Sequence, residues 1–317
     1  MKRPLIVLTG PTAVGKTQLS VQLAKAVNGE IISADSMQVY KHMNIGSAKI
    51  TKEQMEGISH YLVDEISPFE EFNVVKFKQM AKSYLETIYT KGKIPILAGG
   101  TGFYIQALLY DIDFTSHGDN NRLRSELTKK AKESGAMALH NQLRRIDPQS
   151  ADQIHPNNSK RVIRAIEFYY QTGNKISEHN EKERQKESPY NFLYFVLNTE
   201  RAVLYENINR RVDSMMEQGL LQEVRALAAM GCTKEMVSMK GLGYKEMLNY
   251  LDGQYTLEEA VSILKRDTRH FAKRQLTWFQ REKEVRWIYL PDYENRIDLV
   301  LETLLSYIKK EMGLEIS

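Results

Sequence analysis

The chain has 317 residues, enough for one large or two moderate domains with a full hydrophobic core. Its 44 basic and 40 acidic residues leave a net charge of +4, a mild excess that neither requires nor excludes nucleic acid. The single cysteine, Cys232, excludes an intramolecular disulfide framework and a cysteine-rich zinc module. Because we find no signal peptide and no apolar run long enough to span a membrane, we expect a soluble, cytoplasmic globular protein without membrane contact.

The first predicted elements are a buried strand at residues 5–8, a glycine-framed loop and a helix at residues 18–27. The loop fits the phosphate-binding pattern G-x-x-x-x-G-K-T, and it has the strand before it and the helix after it that this pattern requires. Its backbone N–H groups and the start of the helix would hold a diphosphate, while the Thr17 hydroxyl would bind Mg²⁺. The predicted diphosphate-binding residues are Gly10, Pro11, Thr12, Ala13, Val14, Gly15, Lys16 and Thr17. The loop alone leaves open whether the diphosphate belongs to a nucleotide such as ATP or to another molecule.

Two more buried strands are predicted at residues 30–35 and 93–100, with an amphipathic helix at residues 74–89 between them. This alternation is typical of a parallel α/β sheet, whose ligands gather at the carboxyl ends of the strands. Asp35 and Thr101 follow two of these ends, so we expect both beside the phosphate-binding loop. Asp35 is predicted to be a general base or a magnesium ligand, the alternative being a cap for the next turn. Thr101 either contacts substrate or caps the helix that follows.

The pattern changes to helices with charged faces over residues 111–189, and strand signals return at residues 191–198 and 285–290. We therefore predict an α/β fold: a P-loop NTPase-like parallel sheet core with an inserted all-helical subdomain. The predicted core covers residues 1–110 and 191–317, including C-terminal helices. The predicted helical insertion covers residues 111–190.

Three segments carry side chains suited to RNA. The loop after the second strand offers an amide, at Gln38, that could read the edge of a base. Lys160 and Arg161 begin a predicted helix, where an ordinary charged face is the commoner explanation. Residues 265–286 hold eight basic and three acidic side chains with aromatic residues interleaved. That mixture either grips phosphates and stacks on bases or packs a helix onto the core.

The ordered set of motifs resembles the bacterial tRNA dimethylallyltransferases, also called tRNA isopentenyltransferases, nearly from end to end. The motifs are GPTAVGKT (10–17), DSMQVY (35–40), GGTGFY (99–104), RVIRAIE (161–167), GLGYKE (241–246) and AKRQLTWF (272–279). The resemblance implies transfer of a dimethylallyl group from its diphosphate, with Mg²⁺, to the exocyclic amine of the adenosine 3′-adjacent to the anticodon of tRNA. Asn158 departs from this family, in which many members have aspartate at that position.

The resemblance also implies roles for single residues. Asp35 would act as the general base, with Thr101 and Lys16 as further catalytic residues, and Arg211 would contact the diphosphate. We expect a monomer whose insertion helps to hold the anticodon stem-loop. The implied tRNA contacts are Asp35, Ser36, Met37, Gln38, Thr101, Ser159, Lys160, Arg161, Val162, Ile163, Lys273 and Arg274, within a stretch that continues to Glu282.

Two rival functions remain open from the sequence. A P-loop small-molecule kinase would hold ATP in the loop and use Asp35 to activate an acceptor hydroxyl. A non-enzymatic RNA-binding NTPase would explain the basic segment but would give Asp35 and Thr101 no task.

Overall fold

The computed structural model describes residues 2–114 and 121–314, which form a six-stranded parallel sheet flanked by helices. The strand order is β3-β2-β4-β1-β5-β6 for the strands β1 (Arg3–Thr9), β2 (Gly29–Ser33), β3 (His60–Tyr61), β4 (Ile94–Gly99), β5 (Tyr190–Asn198) and β6 (Val285–Tyr289). The helices of the core are α1 (Lys16–Ala26), α2 (Lys52–Met55), α3 (Val74–Thr90), α4 (Gly102–Leu109), α9 (Arg201–Glu217), α10 (Leu220–Ala229), α11 (Tyr244–Leu251), α12 (Leu257–Phe279) and α13 (Ile297–Met312). Those between β4 and β5 are α5 (Asn121–Ile146), α6 (Pro148–Gln153), α7 (Ser159–Thr172) and α8 (Ile176–Arg184). Short 3₁₀ turns lie at Ser238–Lys240 and Leu290–Tyr293.

Strand β1 is central because it pairs in parallel with both β4 and β5. Its residues from Leu5 to Leu8 are fully buried on both faces, which explains why the sequence reads there as a continuous apolar run. Ile6 and Leu8 belong to the same apolar cluster as Leu19 of α1 and Leu304 of α13. The predicted α/β class with a parallel sheet is confirmed.

The chain divides into two compact units, Met1–Leu109 with Pro189–Ser317, and Tyr110–Ser188. The described part of the second unit is helical and has its own apolar core, which includes Leu139, Leu143, Val162 and Ile166. Among the helices predicted over residues 111–189, α5 is interrupted, because Gly135 has φ 81° and ψ 159° inside it. No helix among the described residues combines the length and the apolar composition that crossing a membrane requires.

The buried carboxylate of Glu30 joins β2 to β3 and to the segment before β4. Glu30 of β2 is 2% exposed and accepts hydrogen bonds from Tyr61 (2.7 Å), Lys91 (3.0 Å) and Lys93 (2.8 Å). Burial alone would raise the pKa of this carboxyl, but the bonds from Lys93, Tyr61 and Lys91 together outweigh burial and lower the pKa to about 2. Glu30 therefore stabilises the fold most above the ordinary glutamate pKa, and this contribution is lost as the pH falls from about 4.5 to about 2.

We expect Glu30→Gln to lower the free energy of unfolding at pH 7 by about 3 kcal/mol, since each unit of pKa shift corresponds to about 1.4 kcal/mol. Denaturant titrations at pH 7, 4 and 3 would measure the free energy of unfolding. The difference in this free energy between variant and wild type should decrease toward pH 3. Glu86→Gln is the matched control, because Glu86 pairs with Arg3 on the surface and such pairs contribute about 1 kcal/mol or less. A difference in unfolding free energy that stays constant with pH would contradict the lowered pKa of Glu30.

Candidate active site

The phosphate-binding loop joins β1 to α1 through two glycines in conformations that other residues rarely adopt. Gly10 has φ 149°, and a Cβ there would lie 2.6 Å from the carbonyl oxygen of Leu197. Gly15 has φ 100° and caps α1, which begins at Lys16. The loop thus turns tightly against β5 and brings the start of a helix to the carboxyl end of the sheet, an arrangement that favours anions.

Two cationic side chains lie at this loop. The Lys16 ammonium donates to the carbonyl oxygens of Gly10 (2.9 Å) and Pro11 (2.6 Å). Burial and the nearby positive charge of Arg211 lower the pKa of Lys16 to about 7, with Asp35 opposing them. The Arg211 guanidinium donates to the Thr12 hydroxyl (3.3 Å), and burial lowers its pKa too. Because a bound anion would offset the repulsion between the positive charges of Lys16 and Arg211, this cluster suits a polyphosphate.

Asp35 lies just beyond the carboxyl end of β2. Its Oδ1 accepts the backbone N–H groups of Met37 (2.8 Å) and Gln38 (3.3 Å), which caps the following turn. Within the described residues its other oxygen, Oδ2, has no hydrogen-bond partner, and Asp35 lines the same cavity as Lys16. The two interpretations of Asp35 are therefore compatible, because one oxygen fixes the turn and the other is available for chemistry.

Thr101 follows β4, and its backbone N–H donates to the carbonyl oxygen of Ala34 (3.0 Å), which ties it to the Asp35 turn. A Cβ on Gly99 would lie 2.4 Å from that same carbonyl group, so glycine allows the two strand ends to meet. The Thr101 hydroxyl makes no hydrogen bond with any residue in the described ranges. It is free to bond a ligand.

Gln275 of α12 lies in the stretch predicted to contact tRNA, but its contacts with the phosphate-binding loop were not predicted. Its Oε1 accepts the Thr12 backbone N–H (2.9 Å), and its Nε2 donates to the Gly100 carbonyl (2.9 Å). The buried carboxamide thereby joins the phosphate-binding loop to the turn before Thr101. The signal was present, because Gln275 is a polar residue on the buried face that Thr268, Ala272 and Phe279 define.

The phosphate-binding loop, Arg211, Asp35 and Gln275 line one cavity of about 740 Å³, within the range of small-molecule sites. Gly99 and Gly100 also line it, whereas Thr101, which follows them, does not. Asn207, Arg210 and Arg211 line it from α9 at helical spacings of three and four, a pattern from which the sequence reasoning took Arg211 alone. Away from the loop, the lining becomes partly apolar. The residues that line this part include Val21, Ile31, Ile50, Val63 and Ala98, with Gln54 and His60.

The sequence model of the IPP transferase family matches residues 38–282. The chain belongs to this family. It is 58% identical over 310 residues to the tRNA dimethylallyltransferase of Lachnoclostridium phytofermentans, covering 98% of this chain and 99% of the relative. It is 51% identical over 308 residues to the tRNA dimethylallyltransferase of Clostridioides difficile, covering 97% and 98%.

Solved structures agree with the family. The tRNA isopentenylpyrophosphate transferase of Bacillus halodurans superposes with a TM-score of 0.74 at 43% identity, covering 99% of both chains. A eukaryotic dimethylallyltransferase acting on tRNA superposes with a TM-score of 0.78 at 32% identity, covering 90% of this chain and 74% of that one.

In this IPP transferase family member, the segment from Ser159 to Ile163 forms the first turn of α7. Lys160 and Arg161 are exposed there, and the Asn158 side chain accepts the Arg161 backbone N–H (3.4 Å), so asparagine still caps the helix. Val162 and Ile163 are 0% and 8% exposed and pack into the core of the helical unit. Any RNA contact by those two residues would therefore use the backbone rather than the side chains.

The basic segment of α12 has two faces. Lys273 and Arg274 are exposed, and the Arg274 guanidinium lies 5.8 Å from the centre of the Phe271 ring, which itself lines the cavity. Phe279 is fully buried, while the Trp278 ring contacts that of Phe103 with their centres 6.0 Å apart. Of the aromatic residues in this segment, Phe279 packs in the core and Phe271 lines the cavity.

Proposed function

We propose that this protein transfers the dimethylallyl group of dimethylallyl diphosphate to the N6 amine of the adenosine 3′-adjacent to the anticodon in tRNA, giving N6-isopentenyladenosine and diphosphate. The observation that carries this proposal is the single cavity in which a phosphate-binding loop, two cations and the Asp35 carboxylate meet. Nearly full-length relatives that are named tRNA dimethylallyltransferase support the choice of both substrates.

The lining of the cavity fits an allylic diphosphate. The diphosphate would bind the loop amides, Lys16 and Arg211, and the small apolar tail would lie against lining residues such as Ile31 and Val63. An adenosine that reaches this depth must leave its stack in the anticodon loop, and contacts elsewhere on the tRNA would offset that cost.

The reaction forms a bond from the adenine N6 to the first carbon of the dimethylallyl group and breaks the bond from that carbon to the diphosphate oxygen. The bonding electron pair leaves with the diphosphate, where Lys16 and Arg211 stabilise the developing negative charge. The proton of the N6 amine passes to Asp35 Oδ2, the oxygen that the turn does not use. Thr101 and Gln38 would position the adenine.

The residues around the loop also fit a magnesium ion. In residues 2–114 and 121–314, no three His, Cys, Asp or Glu side chains form a group that could hold a metal by themselves. Mg²⁺ needs no such group, since it commonly binds through one or two protein oxygens, water and substrate phosphates. The Thr17 hydroxyl is exposed in the cavity and would supply a protein oxygen. When bound, the ion would neutralise diphosphate charge.

The second substrate, tRNA, would be held by exposed basic residues of both units, with the helical unit contributing Lys160 and Arg161. We propose that the protein acts as a monomer, because Lys16, Asp35 and Arg211 line one cavity formed by a single chain.

Lys273→Ala and Arg274→Ala together should weaken tRNA binding and make it less dependent on salt. For each phosphate contact that is lost, binding of tRNA releases about one counterion fewer. Binding assays across a range of salt concentrations would show a slope reduced by about 1 to 2. Lys309→Ala with Lys310→Ala, which removes two exposed lysines from α13, serves as the control matched in net charge. An unchanged slope in the variant lacking Lys273 and Arg274 would make these residues structural.

Incubating the protein with isotopically labelled dimethylallyl diphosphate and unmodified tRNA, with labelled ATP as the alternative donor, tests the proposed function directly. We expect dimethylallyl label on tRNA and none from ATP. Phosphate transfer from ATP, or no label on RNA, would refute the proposal.

A further inference from the structure

The motif GLGYKE at residues 241–246 contributes no residue to the lining of the cavity, yet it packs against a loop that does. Tyr244 is fully buried, and a Cβ on Gly46 would lie 2.6 Å from its ring. A Cβ on Gly241 would lie 2.5 Å from the Cε of Met37. The motif therefore supports, at two points, the segment that follows Asp35, which we call the 35–48 loop.

A single carboxylate lies between this motif and the loop. Glu223 of α10 accepts the backbone N–H groups of Asn44 (2.8 Å) and Ile45 (2.8 Å) through Oε2. Its Oε1 accepts the N–H of Gly46 (3.1 Å) and the Tyr244 hydroxyl (2.9 Å). Three consecutive amides on one charged acceptor form strong hydrogen bonds and fix the direction of the chain at that point.

The fixed amides come directly before the groups that hold Gln38. The Gln38 Nε2 donates to the carbonyl oxygens of Ala48 (3.2 Å) and Ser47 (3.5 Å). Both Gln38 and Ser47 line the cavity, and the backbone N–H of Gln38 donates to Asp35 Oδ1. Movement at residues 44–46 would therefore shift the Gln38 carboxamide, whose Oε1 accepts a long hydrogen bond from the Ser33 hydroxyl (3.5 Å).

We infer that Glu223 is a positioning residue for the base-reading loop: it touches no substrate, but it holds the 35–48 loop so that Gln38 and Asp35 keep their places. This role rests on the proposed function, since it concerns the site that would receive the adenosine. The phosphate-binding loop is separate from these contacts, so the effect should fall on tRNA and not on the diphosphate.

Glu223→Gln tests this role, because it keeps the size of the side chain while removing the charge and one acceptor oxygen. We expect hydrogen exchange at the amides of residues 44–46 to rise about 10- to 100-fold, the effect of losing charged hydrogen bonds. The kcat/KM for tRNA should fall by about the same factor, as when a catalytic group is slightly misplaced. The affinity for dimethylallyl diphosphate should stay within about twofold. Tyr244→Phe removes one of the four bonds and should show a smaller effect of the same kind.

Glu217→Gln is the matched control, because it makes the same charge change at an exposed position at the end of α9. It should leave exchange and kinetics unchanged. Unchanged exchange in Glu223→Gln, or faster exchange with normal kcat/KM for tRNA, would overturn the positioning role, even if the melting temperature fell. A wild-type protein that transfers no label would instead refute the proposed function, which is a separate result.

Discussion

Lys16→Ala is expected to lower the rate of dimethylallyl transfer by about 10³-fold or more and to weaken diphosphate binding, while the fold stays intact. Removing one donor to a developing oxyanion costs about 10²- to 10³-fold, and Lys16 carries a full charge besides. Among the residues that the structure describes, its ammonium bonds the loop carbonyls of Gly10 and Pro11 and no others, so its loss leaves the apolar core complete. Single-turnover assays and circular dichroism would measure the two effects. Near-normal turnover at saturating dimethylallyl diphosphate would contradict the assignment.

The same lysine should make diphosphate binding depend on pH. Because its pKa is lowered to about 7, free Lys16 loses its proton as the pH rises above that value. A bound diphosphate favours the charged form, so binding above pH 7 takes up a proton and the affinity falls as the pH rises toward 10. The phosphate groups have a second pKa of about 6, so their own titration lies below this window. Calorimetry in buffers of different ionisation enthalpy would detect the proton that wild type takes up when it binds the diphosphate. This proton uptake should be absent from Lys16→Ala.

Much of the core could be predicted because its sequence signals are local. The run at residues 5–8 lies within β1, and the glycine-framed loop leads into α1 as expected. The two-residue strand β3 gave no such signal, since it is too short for an alternating pattern and pairs only at Ile31 and Ile32 of β2. The break at Gly135 was missed because the flanking charged residues continue a helical pattern on either side.

The candidate site residues divide in the same way. Lys16 could be predicted because the pattern G-x-x-x-x-G-K-T marks it at the start of α1. Asp35 could be predicted because it follows the end of a strand, and the carboxyl ends of the strands of a parallel sheet lie together. The contacts of Gln275 and Glu223 could not be predicted, because each side chain bonds a segment more than 170 residues away in the chain and only the fold brings the two together. Apart from the Tyr244 hydroxyl, which donates to Glu223, their partners named above are backbone groups, which every sequence contains, so a polar residue on a buried face does not reveal which group it bonds.

Asp35→Asn separates binding from chemistry at one position. Asparagine keeps the shape of the side chain, and its Oδ1 can still accept the N–H groups of Met37 and Gln38, so the turn should persist. Its other atom becomes an NH₂ group, which cannot take a proton from the adenine amine. We therefore expect the transfer rate to fall by about 10²- to 10⁴-fold, the usual contribution of a general base.

Affinities for tRNA and for dimethylallyl diphosphate should change little in Asp35→Asn, because two effects of the lost charge oppose each other. The carboxylate favours the charged forms of Lys16 and Arg211, so removing it weakens the cations that hold the diphosphate. Removing it also ends the repulsion between the carboxylate and the diphosphate itself. Rapid-quench measurement of one turnover, alongside equilibrium binding of each substrate, distinguishes the two roles that Asp35 could have. A normal single-turnover rate would show that Asp35 is not the base, and a loss of diphosphate binding that added Mg²⁺ restores would show that it is a metal ligand instead.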